Sequence, residues 1–122
     1  MNKEQIKIDF RNKVAKANLK AISFQDGNQF IVYIPSLNLS AYGDTQDEAK
    51  AMLYDIVLDD FFETLLEAPI DSAKKELLKY GWEQSAILKK QFSSSTFIDR
   101  QGILKNFNLS EDTAFQEEMV SI

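Results

Sequence analysis

The sequence predicts an α+β domain: a small antiparallel sheet, made of a hairpin, a third strand and further strands, with one long and one short helix packed on it. Three observations predict it. Gln25-Asp26-Gly27-Asn28 separates two apolar runs, and Gly and Asn accept the positive φ of a tight hairpin turn. Thr45-Gln46-Asp47-Glu48 has the form of a capping box and opens an apolar-periodic stretch that reaches about Leu66. A chain of 122 residues, 44% of them hydrophobic, suits one domain with a single core.

Taken in order, Ile6, Ile8 and Phe10 alternate with Lys7 and Asp9, the period of a strand with one buried face, and Arg11-Asn12-Lys13 reads as a turn. From Ala15 to Phe24 the alternation resumes but changes phase around Ala21-Ile22. That predicts a bulge, or a strand beginning only near Leu19. Phe30-Ile31-Val32-Tyr33-Ile34 is aromatic and β-branched and reads as a central strand. Pro35, lacking an N–H, ends or edges it, and Leu37, Leu39 and Ala41 restore a short alternation for a third strand. Gly43 takes a conformation that other residues resist, and the helix follows at once from Thr45.

On that helix the predicted sheet-facing stripe is Ala49, Met52, Leu53, Ile56, Val57 and Phe61, with Asp55, Asp59 and Glu63 on another face. Tyr54, Leu58, Phe62 and Leu65 widen the apolar surface, which implies cover on more than one side by chain or partner. Ala68-Pro69 ends the helix. Asp71 is expected to cap a shorter helix through Leu77, Leu78 and Tyr80, with Gly81 as its stop. Strands are expected at 85–92 and 96–98, around the Ser93-Ser94-Ser95 loop. The predicted organisation is one α/β domain over 1–105 and an acidic C-terminal tail over 106–122.

Composition removes whole classes of chemistry. Without cysteine there is no disulfide, thiolate nucleophile or sulfur-ligated zinc, and without histidine there is no imidazole base or two-His metal site. No run approaches the roughly 20 apolar residues that cross a bilayer, and Met1-Asn2-Lys3-Glu4-Gln5 opens no secretion-type segment, so a cytoplasmic protein is expected. The net charge of −5 disfavours nucleic acid, whose phosphates are held by clustered Lys and Arg. Its distribution is uneven: residues 1–24 carry six basic and two acidic side chains, 46–67 one basic and seven acidic, and 106–122 four acidic and none basic.

Each candidate for chemistry is outweighed by a plainer role. Asp55, Asp59, Asp60 and Glu63 offer hard oxygen ligands, but one helix cannot wrap a cation, so no metal is expected. The serine run beside Asp99-Arg100 has no base to activate it and no Ser-x-x-Lys or Gly-x-Ser-x-Gly motif. Trp82, following Gly81, is expected in the core. Lys89-Lys90 near Phe92 is too small a basic footprint for single-stranded nucleic acid and reads as a solvated strand edge. Residues 103–113 have the outline of a helix-turn-helix, but its second helix would present Glu111, Asp112, Glu117 and Glu118 to phosphate. A tail that docks on this chain or on a basic partner is the favoured reading. No catalytic residue and no cofactor are expected.

The succession of strand, Pro35-Ser36-Leu37, short strand, Gly43-Asp44-Thr45 and then Glu48-Ala49 within a helix resembles the N-terminal domain of the HicB antitoxin family. The resemblance covers about residues 19–67, and its structural signature is Pro35, Leu37, Gly43, Asp44, Thr45, Glu48 and Ala49. It implies a hairpin, a third strand and a helix across a truncated ribonuclease-H-like sheet, and a role in neutralising a small basic RNA-cleaving toxin. Members typically carry Pro-Gly-Cys after the proline-leucine signature, where this chain has Asn38-Leu39-Ser40. Nothing after Phe92 makes the DNA-binding module that many members carry, so DNA is not an expected partner.

The resulting expectation is a non-enzymatic interaction domain. Asp55, Asp59, Asp60, Glu63 and the acidic tail would steer a cationic partner. Tyr54, Leu58, Phe62 and Phe115 would anchor it. A structural homo-oligomer, pairing through a strand edge or an apolar helix face, is the alternative. A magnesium-dependent ribonuclease-H-like enzyme is a third class, which would betray itself by thermal stabilisation with magnesium.

Overall fold

In the computed structural model, which describes residues 4–94 and 100–122, the alternating N-terminal run forms β1 (Gln5–Asp9) and the long β2 (Val14–Asp26). Asp9 closes the turn between them by accepting from the backbone and side-chain N–H groups of Asn12. Gly27 then takes φ +63° in a two-residue turn that pairs Asp26 with Gln29 and leads into β3 (Gln29–Ile34). A 3-10 turn (Pro35–Leu37), closed by Asn38 in the left-handed region, leads to β4 (Leu39–Gly43).

No bulge interrupts β2. The phase change arises because Ala21, Ile22, Ser23 and Phe24 are all buried: the strand is covered on one face at its start and on both faces farther on. Ala17, Leu19 and Ala21 face the helical layer, while Ile22 and Phe24 face a second cluster with Ile31, Tyr33 and Ile103.

From Gln46 to Glu67 the chain is helical without a break: α1 (Gln46–Met52), a π-helical segment (Leu53–Val57) and α2 (Leu58–Glu67). Thr45 Oγ1 accepts from Glu48 N–H at 3.1 Å, as its position predicts. Glu48 reaches back one residue beyond the cap, to the Asp44 N–H at 3.1 Å. The predicted stripe is corrected by the π segment. Buried positions are Ala49, Leu53, Leu58, Phe62 and Leu65, and the five-residue step from Leu53 to Leu58 spans the inserted residue. Met52 and Ile56, placed in the core by a 3.6-residue period, are 43% and 50% exposed.

This geometry makes a prediction. Deleting Ile56 should give an unbroken α-helix that keeps the core phase and leaves a folded protein with its melting temperature within about 5 °C of the parent. Deleting Asp60, outside the π segment, should rotate Phe62 and Leu65 out of the core and abolish the cooperative melt. Circular dichroism melts of both variants check this.

α3 (Ile70–Lys79) begins at Pro69 with no side-chain cap, so Asp71 sits in its first turn and is not its N-cap. Gly81, at φ +89°, stops it as expected. The strand expected at 85–92 is instead a hairpin of β5 (Trp82–Gln84) and β6 (Gln91–Ser94). Ser85 bends the chain there, its Oγ accepting from the N–H groups of Ile87 and Leu88 at 3.3 and 3.0 Å. Lys89 and Lys90 therefore lie in a turn and not on a strand edge. The strand expected at 96–98 falls outside the described residues.

The C-terminal stretch is built into the sheet. α4 (Arg100–Asn106) brings Ile103 onto the second face, with Phe107, Leu109 and Phe115 packed around it, and β7 (Gln116–Ser121) pairs with residues 18–23 of β2. The stretch read as an acidic tail thus docks on its own chain. Residues 110–113 form a turn where a helix-turn-helix would start its second helix.

Among the described residues seven strands make one sheet in the order β4-β3-β2-β1-β6-β5, with β7 added on β2. Ala17 exchanges both backbone bonds with Ile122 at 3.2 and 3.0 Å. Odd-numbered groups of β2 therefore face β7, and even-numbered ones face β1 and then β3. At the seam between β1 and β3 the Lys20 N–H donates to the Glu4 carboxylate at 3.1 Å, and the Ser36 hydroxyl donates to the same oxygen.

Candidate functional site

The π segment decides which side of the long helix faces outward, and so what surface the protein offers. Beyond it, Asp59, Glu63 and Glu67 fall on one line at four-residue spacing, all exposed. Beside that line an open groove of about 480 Å³ lies between the helix and the start of β2. Leu58, Phe62 and Leu66 line its floor, and of the three Leu66 is the one that keeps exposed surface. Lys13, Ala15 and Ile122 close it on the sheet side.

Five of the seven residues expected to bind a partner line this groove: Tyr54, Leu58, Asp59, Phe62 and Glu63. Two of them require correction as anchors. Leu58 is 0% exposed and Phe62 5%, so both are core side chains with little surface left for a partner. Asp55 is exposed one turn before Asp59 but does not line the groove. Phe115 lies on the opposite face of the sheet, its ring centroid 5.4 Å from that of Phe24 and the Arg100 guanidinium 4.8 Å above it. It cannot share a contact with the groove.

Tyr54 is held by the C-terminal strand. Its hydroxyl donates to Glu118 at 2.7 Å, and Lys50 pairs with the same carboxylate at 3.1 Å. The bond from the Tyr54 hydroxyl, then the bond from Lys50 and the charge of that lysine, hold the Glu118 carboxyl below the usual glutamate range. Burial, the bond to Glu118 and its negative charge push the Tyr54 phenol well up. The pair is therefore fixed as a neutral donor and an ionised acceptor. A second ion pair, Lys20 with Glu117 at 3.4 Å, secures the same strand. With most of β7 exposed and Val120 its one buried residue, backbone pairing and these polar contacts carry its attachment.

The signature residues all act on shape. Leu37 and Ala49 are fully buried, Pro35 starts the 3-10 turn, and Thr45 with Glu48 caps the helix. Asp44 supplies the N–H that Glu48 accepts. Gly43 lets β4 meet the first helical turn, since a Cβ there would stand 2.8 Å from Glu48 Cβ and 2.9 Å from the Ala49 nitrogen.

Asp59, Asp60 and Glu63 have carboxylate oxygens within 4.8 Å of one another, all exposed and all from α2. Among the described residues no carboxylate from another element joins them. As a row on one helix they make a negative rim.

Sequence reasoning missed Lys13, Ala15, Leu66, Glu67 and Ile122 as groove residues. Glu67 continues the row of Asp59 and Glu63 and was legible by spacing. Ile122 was not, because only its pairing with Ala17 across the chain brings it there.

No protein family, curated protein or solved structure matches this chain. Among the described residues no helix is long and apolar enough to cross a membrane.

Proposed function

We propose that this chain is a non-enzymatic interaction domain, a HicB-type antitoxin or an orphan relative, that binds and neutralises a small basic RNA-cleaving protein. The observation that carries this reading is the groove with an apolar floor and a rim of Asp59, Glu63 and Glu67. A protein that holds RNA is cationic, and such a rim raises its encounter rate while the floor accepts an apolar side chain. Asp55 and Asp60 extend the negative field along the same helix.

Affinity capture from native lysate at low and high salt tests it. A small basic protein should be retained at low salt and weakened at high salt. Reversing the rim with Asp59→Lys and Glu63→Lys should weaken its binding by roughly 10- to 100-fold, mostly through a slower on-rate. Both residues are exposed, so the variants should melt like the parent. Recovery of no basic protein, or one indifferent to rim reversal, would remove the proposal.

A second reading, a structural domain that assembles with its own copies, is favoured by exposed apolar residues outside the groove, among them Tyr42 on the edge strand β4 at 64%.

A further inference from the structure

The most exposed large apolar side chain among the described residues is Ile87, at 88%, and its neighbour Leu88 is 53% exposed. They sit at the tip of the β5–β6 hairpin, and the tip is firmly held. Ser85 Oγ accepts from both of their N–H groups. Its own N–H donates to Gln91 O at 2.8 Å, and Gln91 N–H donates to Leu88 O at 2.9 Å. Gln84 Nε2 adds a bond to Lys89 O at 2.6 Å. An apolar pair presented on so constrained a turn has already lost the freedom that docking would otherwise cost.

We infer that this tip docks in the helix–sheet groove of a second copy of the chain, with Ile87 and Leu88 on the apolar floor and Lys89 against the acidic rim. Three features select this occupant. The groove offers Leu66 and the 41%-exposed Ile122 beside Asp59, Glu63 and Glu67, which complements an apolar pair followed by a lysine. Lys90 is engaged by Asp9 at 3.0 Å, which leaves Lys89 as the tip's contribution to the rim. Tip and groove also flank the same β1–β2 turn: Ile8 N–H donates to Lys90 O on one side of it, and Lys13 and Ala15 line the groove on the other. A twofold axis past that turn would bring each tip to the other copy's groove, two reciprocal contacts that close the assembly as a dimer. An anionic lipid surface would take the tip alone and leave the complementary groove unused. The inference gives the self-associating reading a specific contact and needs no basic partner.

Light scattering over a concentration series of the purified chain tests it. The parent should show a reversible monomer–dimer equilibrium. Ile87→Asp should weaken it at least about tenfold. Lys89→Glu and Glu63→Lys should each weaken it, and the two together should restore it to within about threefold of the parent. All three positions are exposed, so each variant should melt within about 2 °C of the parent. A monomer up to about 1 mM would overturn the inference. So would a dimer indifferent to Ile87→Asp, failure of the paired reversal to restore association, or a monomer that binds anionic vesicles through Ile87. The purified chain is alone in this experiment, so its failure would leave the basic-partner proposal standing.

Discussion

Replacing Trp82 with Ala should destabilise the protein by about 3–5 kcal/mol. For a chain of this length that is a fall of roughly 12–20 °C in melting temperature. Trp82 is 1% exposed, and its indole N–H donates to the Ser36 carbonyl at 2.7 Å, a buried bond between β5 and the 3-10 turn after β3. Ser36 is itself buried and its hydroxyl is committed to Glu4, so the turn cannot swing toward water to recover what the indole supplied. Trp82→Phe separates the two contributions. It keeps most of the apolar surface but strands the Ser36 carbonyl, and should cost about 1–3 kcal/mol. Chemical denaturation followed by circular dichroism measures both. A phenylalanine variant as stable as the parent would show that the indole bond adds nothing beyond packing.

Trp82 also shows what kind of information the sequence held. Its place in the core was legible because a tryptophan after a helix stop has a large surface and nowhere better to put it. Local chemistry was legible in the same way: the Gly27 turn, the Thr45 cap and the Gly81 stop are each decided by one or two residues. The π segment was not, because one extra residue in a helical turn leaves no compositional trace. A 3.6-residue period therefore assigned Met52 and Ile56 to a core that holds Leu58 and Phe62 instead. The same error carried into the site. Leu58 and Phe62 became partner anchors only because the assumed phase left them outside.

Long-range pairing was the other blind spot. Read alone, residues 116–121 are acidic and offer Val120 as their one buried side chain, so nothing local marks a strand. They become one because β2 has a free edge and Lys20 and Lys50 stand beside it. The phase change at Ala21-Ile22 was a clue to face cover only: a strand that stops alternating is covered on both faces, here by Ile103, Phe107, Leu109 and Phe115, whereas β7 pairs in the plane of the sheet and leaves no such mark. Residues 85–92 misled for the opposite reason, since their apolar pattern suits a strand and Ser85 overrides it with side-chain bonds.

Gly43→Ala should cost about 2–3 kcal/mol, a larger effect than a single methyl normally has at a half-buried strand end. The reason is space and not backbone conformation. The added Cβ would lie 2.8 Å from Glu48 Cβ, 2.9 Å from the Ala49 nitrogen and 3.1 Å from the Glu48 carbonyl carbon, all belonging to the first helical turn. None is the end of a flexible side chain, so the helix must move away from β4 and carry the fully buried Ala49 with it. Gly27→Ala is the matched control. Its Cβ would meet nothing within 4 Å, and its φ of +63° adds only the backbone strain of a left-handed residue, about 1 kcal/mol. The expected falls in melting temperature are therefore roughly 8–12 °C for Gly43→Ala and roughly 4 °C for Gly27→Ala. Equal losses would mean that the close approach of strand and helix contributes nothing special. A larger loss at Gly43 would place the geometry of the groove under the control of this contact, because the same helix carries Asp59, Glu63 and Glu67 to its rim.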